Sequence, residues 1–99
     1  MPNMKTQYQY NVILRIRKAR EKAGYSQAKI ADLLGISYGQ VGNIESPTKQ
    51  HKYTLAQIEI LCKALNITIG SIFSPNEESN ITIDQLVHYI VKYQETNKK

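Results

Sequence analysis

Between Ser26 and Glu45 the chain reads SQAKIADLLGISYGQVGNIE, and the spacing of its capping, small and apolar residues leaves few folds open. Ser26 can cap a helix, since its hydroxyl accepts a bond from one of the amides that the first turn leaves unpaired. Ile30, Ala31, Leu33 and Leu34 give that helix a buried face, and Ala31 is small enough to let a neighbour pack closely. Gly35 follows Leu34, where helices often end in a left-handed residue that glycine adopts without steric cost. Ser37 opens a second helix, with Gln40 at the spacing of a capping box and Val41 and Ile44 on its apolar side. Only Gly35, Ile36 and Ser37 separate the two helices, so the second is held at a steep angle to the first.

The rest of the chain is organised around this pair. Residues 1–10, which include Tyr8 and Tyr10, read as a loose arm. Asn11 is the expected cap of a first helix that buries Val12, Ile13, Ile16, Ala19 and Ala23 and stops at Gly24. Pro47 ends the helix that contains Glu45, because proline lacks an amide and disfavours helix in the residue before it. A polar, basic loop, Ser46 to Tyr53, follows. Thr54 and Gln57 repeat the capping-box spacing ahead of Leu55, Ile58, Leu61, Cys62 and Leu65, which recur at helical intervals. Thr68 caps a short fifth helix containing Ile69, Ile72 and Phe73. Residues 75–81 have linker composition. Thr82 and Gln85 open a last helix with an apolar stripe of Ile83, Leu86, Val87, Ile90 and Val91, and Thr96 to Lys99 form a fraying tail. The expectation is an all-α chain: an arm over 1–10, a five-helix domain over 11–74, a linker over 75–81 and a C-terminal helix over 82–99.

Composition narrows the function. Ninety-nine residues can form a core without disulfide staples. Cys62, the lone cysteine, can make neither an internal bridge nor a metal site, which fits a reducing compartment. No apolar run approaches the roughly 18 residues of a membrane span, and the polar start is not a signal peptide. A cytoplasmic protein off the membrane is expected. Residues 1–53 carry nine Lys/Arg against three Asp/Glu, while residues 54–99 carry four against five. A basic N-terminal half suits a polyanion. No paired carboxylates, Cys/His pair or phosphate loop stand at catalytic spacing, so neither an enzyme nor a cofactor is expected. His88 has no metal partner in helical register, and His51 lies in the basic loop.

Several of these residues recur together in one known pattern: Arg20, Gly24-Tyr25-Ser26-Gln27, Ile30-Ala31, Gly35-Ile36-Ser37, Ile44-Glu45 and the later Ala64-Leu65-Asn66-Ile67-Thr68-Ile69 through Phe73. From about residue 12 to 73 the chain resembles the DNA-binding domain of phage repressors and Cro proteins, the XRE-type helix-turn-helix regulators. The resemblance implies the repressor-like five-helix arrangement. It also implies that Tyr38, Gly39 and Asn43 sit where members reach base edges, that Gln27 anchors DNA, and that Arg20 and Glu45 form a partly buried salt bridge. The residues add their own chemistry. Asn43 can bond adenine in two places, and Gln40 is a further base-contact candidate unless occupied as a cap. The amides beside Ser26 favour an anion, and Lys49, Lys52 and Tyr53 can meet phosphates. Gly39 and Gly42 are unexpected inside such a helix, since each costs roughly 1 kcal/mol relative to alanine and offers no side chain.

The expected function is sequence-specific binding of double-stranded DNA by a transcriptional regulator acting as a repressor, with the third helix in the major groove. One alternative is an antitoxin that holds a toxin protein and represses its own operon. Another is a protein-interaction adaptor without DNA binding. The stripe of Ile83, Leu86, Val87 and Ile90 has two possible uses, closing its own core or pairing with a second copy. A homodimer is the favoured expectation, because operators read by this motif match a two-fold protein.

Overall fold

The computed structural model describes residues 4–74 and 81–95. Six helices lie within them: α1 (Gln7–Lys22), α2 (Gln27–Leu34), α3 (Tyr38–Glu45), α4 (Leu55–Leu65), α5 (Ile69–Phe73) and α6 (Ile83–Gln94). Most are too short to persist alone, so their ends matter. Each begins at a serine or threonine, Thr6, Ser26, Ser37, Thr54, Thr68 or Thr82, whose side chain accepts from the amide three residues on. At Thr6, Ser37, Thr54 and Thr82 a glutamine completes the reciprocal capping box.

Three helices also stop in one way. Gly24, Gly35 and Asn66 take left-handed backbone with φ of 78°, 68° and 57°. The next amide then reaches back over the last turn, Tyr25 to Arg20 O, Ile36 to Ala31 O and Ile67 to Cys62 O, at 2.9, 3.1 and 2.9 Å. Tyr25, Ile36 and Ile67 pack against the core at these corners, the apolar contact that accompanies such stops.

The first helix starts earlier than expected. Residues 7–10 are helical, and Asn11 lies inside α1, where its side chain accepts from Gln7 Nε2 at 2.9 Å. Thr6 and Gln9 cap one another through bonds of 3.1 and 2.8 Å, and this reciprocal pair defines the start in place of Asn11. Tertiary contacts then hold the added turn. Tyr8 Oη donates to Phe73 O at 2.5 Å, and buried Gln9 donates through Nε2 to Tyr93 O and Glu95 O at 2.6 and 2.5 Å.

The core runs through Val12, Ile13 and Ile16 of α1, Ile30 and Ala31 of α2, Val41 and Ile44 of α3, and Ile58 and Leu61 of α4, and ends at Ile72 and Phe73 of α5. Cys62 is buried with them, and burial pushes its thiol up to about 11, so at neutral pH it is a packed, protonated group. Among the described residues no helix is long and apolar enough to cross a membrane.

The last helix joins this core. Tyr93 is wholly buried, its ring edge-on to Phe73 at 5.6 Å and its hydroxyl donating to Tyr53 O at 2.6 Å. Tyr89 stacks on Tyr8 at 6.0 Å, and Lys92 Nζ lies 5.0 Å from the centre of the Tyr8 ring. Leu86 and Ile90 pack, half-buried, against the core, whereas Ile83, Val87 and Val91 remain 78%, 52% and 55% exposed. The stripe read from sequence as one surface is therefore two. Most of the predicted linker, residues 75–80, and the tail, residues 96–99, lie outside the described residues.

Candidate nucleic-acid interface

The inner side of α3 is fixed by burial of Val41, Ile44 and Glu45. That leaves Tyr38, Gly39 and Gln40 exposed, with Asn43 half-buried one turn further on. Tyr38 is 63% exposed, a large amphipathic surface that the described residues leave mostly uncovered. Gln40 is engaged as a cap, accepting from Ser37 N at 3.3 Å while its own amide donates to Ser37 Oγ at 3.1 Å.

Neither glycine of this helix is required by the protein's own packing. An alanine methyl at Gly39 would approach only Ser37 Oγ, at 4.0 Å, and one at Gly42 would meet nothing within 4 Å. The helix thus carries about 1 kcal/mol of lost propensity at each with no compensating contact among the described residues.

The end of α3 is tied to α1 by charge as well as by packing. Arg20 donates to Glu45 from Nε and a terminal nitrogen, both at 2.9 Å, in a bidentate pair. A third donor of Arg20 reaches Tyr25 O at 2.9 Å. The two residues are only 7% and 4% exposed. Gln27 adds a bond of 2.9 Å from Nε2 to Glu45 Oε1. Its side-chain donor therefore ties the start of α2 to the end of α3, where the sequence suggested an anchor for DNA. Ser26 Oγ accepts from Lys29 N at 3.0 Å as the cap of α2.

The loop from Ser46 to Tyr53 divides the proposed phosphate contacts. Lys49 is exposed and Lys52 half-buried. Tyr53 is not available to a phosphate: it is 1% exposed, its ring is in the core, and its hydroxyl has no hydrogen-bond partner. Burial raises its pKa, and the residue anchors the loop from beneath. A lone aromatic at the end of a polar loop looks like surface in sequence, and only its place in the tertiary core reveals otherwise.

Lys5, missed at the sequence level, belongs to this region. Its Nζ reaches Lys49 O at 2.6 Å, His51 O at 2.7 Å and Asn43 O at 3.5 Å. No local pattern signals a lysine that binds carbonyls about 40 residues away. Among the described residues no group of His, Cys, Asp or Glu could hold a metal ion.

A family model described as helix-turn-helix matches residues 16–72, more than half of the chain. The chain belongs to the XRE/Cro-type helix-turn-helix family. No curated protein and no solved structure matches it. The XRE-type domain makes this a DNA-binding regulator, of a family that is not typically enzymatic. The matched XRE-type segment runs from Ile16 in α1 to Ile72 in α5. The additions on either side, the start of α1 and α6, pack on one another through Gln9 and Tyr93.

Proposed function

We propose that this regulator binds double-stranded DNA sequence-specifically and represses transcription by occupying its operator, with α3 in the major groove. One observation carries the reading: the open side of α3 presents Tyr38, Gly39, Gln40 and Asn43 while its other side is locked by the core and by the Arg20–Glu45 pair. Asn43 is the bidentate reader, suited to adenine. Tyr38 meets a sugar or a thymine methyl. The bare backbone at Gly39 and Gly42 lets the helix lie closer to base edges, a use that would offset its lost propensity.

Phosphates are met by the amides at the start of α2 and by Lys49 and Lys52. A second copy completes the two-fold reader, joined through the exposed Ile83, Val87 and Val91 of α6; Leu86 and Ile90 serve their own subunit. The protein works in the cytoplasm, where its DNA is.

Changing Lys49 and Lys52 to alanine should weaken binding to all duplexes alike. The slope of log affinity against log salt should fall by about 0.9 for each phosphate that the loop no longer neutralises. A titration in which the double variant keeps the wild-type slope would remove this loop from the interface.

A further inference from the structure

Lys5 is only 7% exposed, whereas every other lysine among the described residues is exposed or half-buried. A buried ammonium is costly unless its donors are met. It has three donors and no acceptor, and three carbonyls converge on it, at 2.6, 2.7 and 3.5 Å. Burial pulls its pKa down to about 8, so at neutral pH the group stays mostly charged.

The identity of the three acceptors gives this contact its meaning. Asn43 O lies in the last turn of α3, where it also accepts from Ser46 N at 3.3 Å and where the carbonyl end of a helix favours a cation. Lys49 O and His51 O lie in the middle of a loop that has no helix or strand of its own. Among the described residues, Tyr93 Oη holds only the loop's far end, at Tyr53 O, and the loop's other side-chain bonds are local, Thr48 N to Ser46 Oγ at 3.2 Å and Ser46 Oγ with Thr48 Oγ1 at 3.1 Å, neither reaching beyond Thr48. One ammonium thus joins the residue suited to read a base to the residue suited to hold a phosphate, by gripping the backbone of both.

We propose that Lys5 is a positioning residue for DNA binding, a clasp that fixes the loop bearing Lys49 and Lys52 against the end of α3. This rests on the reading of that face as the DNA interface. A loop held in place before contact avoids the entropy of ordering it on the duplex. Lys5 itself is too enclosed to reach a phosphate, so its influence passes through the loop.

The test uses the full chain and the variants Lys5→Met and Lys5→Arg. In the free protein, Lys5→Met should speed amide hydrogen exchange over residues 46–53 and leave α2 and α4 at wild-type rates; Lys5→Arg, which keeps charge and donors, should restore much of the protection. In duplex titrations Lys5→Met should bind about tenfold more weakly, the scale of one or two side chains ordered on binding. The same substitution made on top of Lys49→Ala and Lys52→Ala should cost little more, because coupled residues are not additive. Unchanged exchange in the loop, exchange raised throughout the molecule, or a full tenfold loss in the variant already lacking both loop lysines would each overturn the clasp. A wild-type protein that ignores every duplex would overturn the DNA interface itself, and the exchange result would still decide whether Lys5 orders the loop.

Discussion

Arg20→Ala should cost about 3–5 kcal/mol of stability, the range for removing one partner of a buried ion pair. Glu45 would be left 4% exposed with its charge uncompensated. Gln27 would remain on Oε1, but a neutral amide cannot replace a guanidinium. Arg17 is a poor substitute: its Nε lies 3.9 Å from Glu45, its side chain is 44% exposed, and Glu21 already holds it at 3.1 Å. The stranded carboxylate would also face the carbonyl end of α3, where a negative charge is unfavourable. Replacing both partners, as Arg20→Met with Glu45→Leu, should recover most of the loss, since an apolar pair of similar volume removes the buried charge altogether. Urea denaturation reads both. A loss below about 1 kcal/mol for Arg20→Ala would be the signature of a solvent-screened pair and would contradict the burial of these two side chains.

Ending the chain before Ile81 should be at least as damaging. Read from sequence, the last helix lies beyond a linker, and pairing with a second copy is favoured over closing its own core. The packing argues otherwise. Tyr93 fills the space between Phe73 and Tyr53, and Gln9 spends its donors on the carbonyls of Tyr93 and Glu95. Tyr93→Ala alone should cost about 3–5 kcal/mol, as for other large aromatic truncations in a core. Against a typical total of about 5–15 kcal/mol, loss of the whole helix should abolish the cooperative melt or bring it far below that of the full chain. Tyr93→Phe isolates the hydroxyl and should cost about 1 kcal/mol. A truncated chain with an unchanged melting temperature by circular dichroism would show that α6 merely rests on the surface.

Where the fold was legible in the sequence, it was so because the information is local. Ser26, Ser37, Thr54, Thr68 and Thr82 sit at the caps their spacing announces, Gly35 takes the left-handed turn expected of it, and Gly24 stops the first helix in the same conformation. Thr6 carries the same signature with Gln9, but Asn11 is an equally good capping residue type, and only the tertiary bonds of Tyr8 and Gln9 separate the two starts. Periodicity marked the stripe of α6 yet could not say which neighbour each residue meets. Leu86 and Ile90 turn inward with Tyr93, while Ile83 and Val87 stay outside. Tyr53 and Lys5 were illegible for a related reason. One is buried in a core assembled from residues distant in sequence, and the other binds backbone oxygens, which leave no trace in residue identity.

The central claim is that the open side of α3 reads base pairs as part of a two-fold protein. Selection of bound fragments from a pool of random duplexes tests it most directly. The expected result is a palindromic consensus with half-sites about one helical turn, roughly 10 base pairs, apart, blurred at one position of each half-site by Asn43→Ala. A pool that emerges without enrichment at any salt concentration would contradict it.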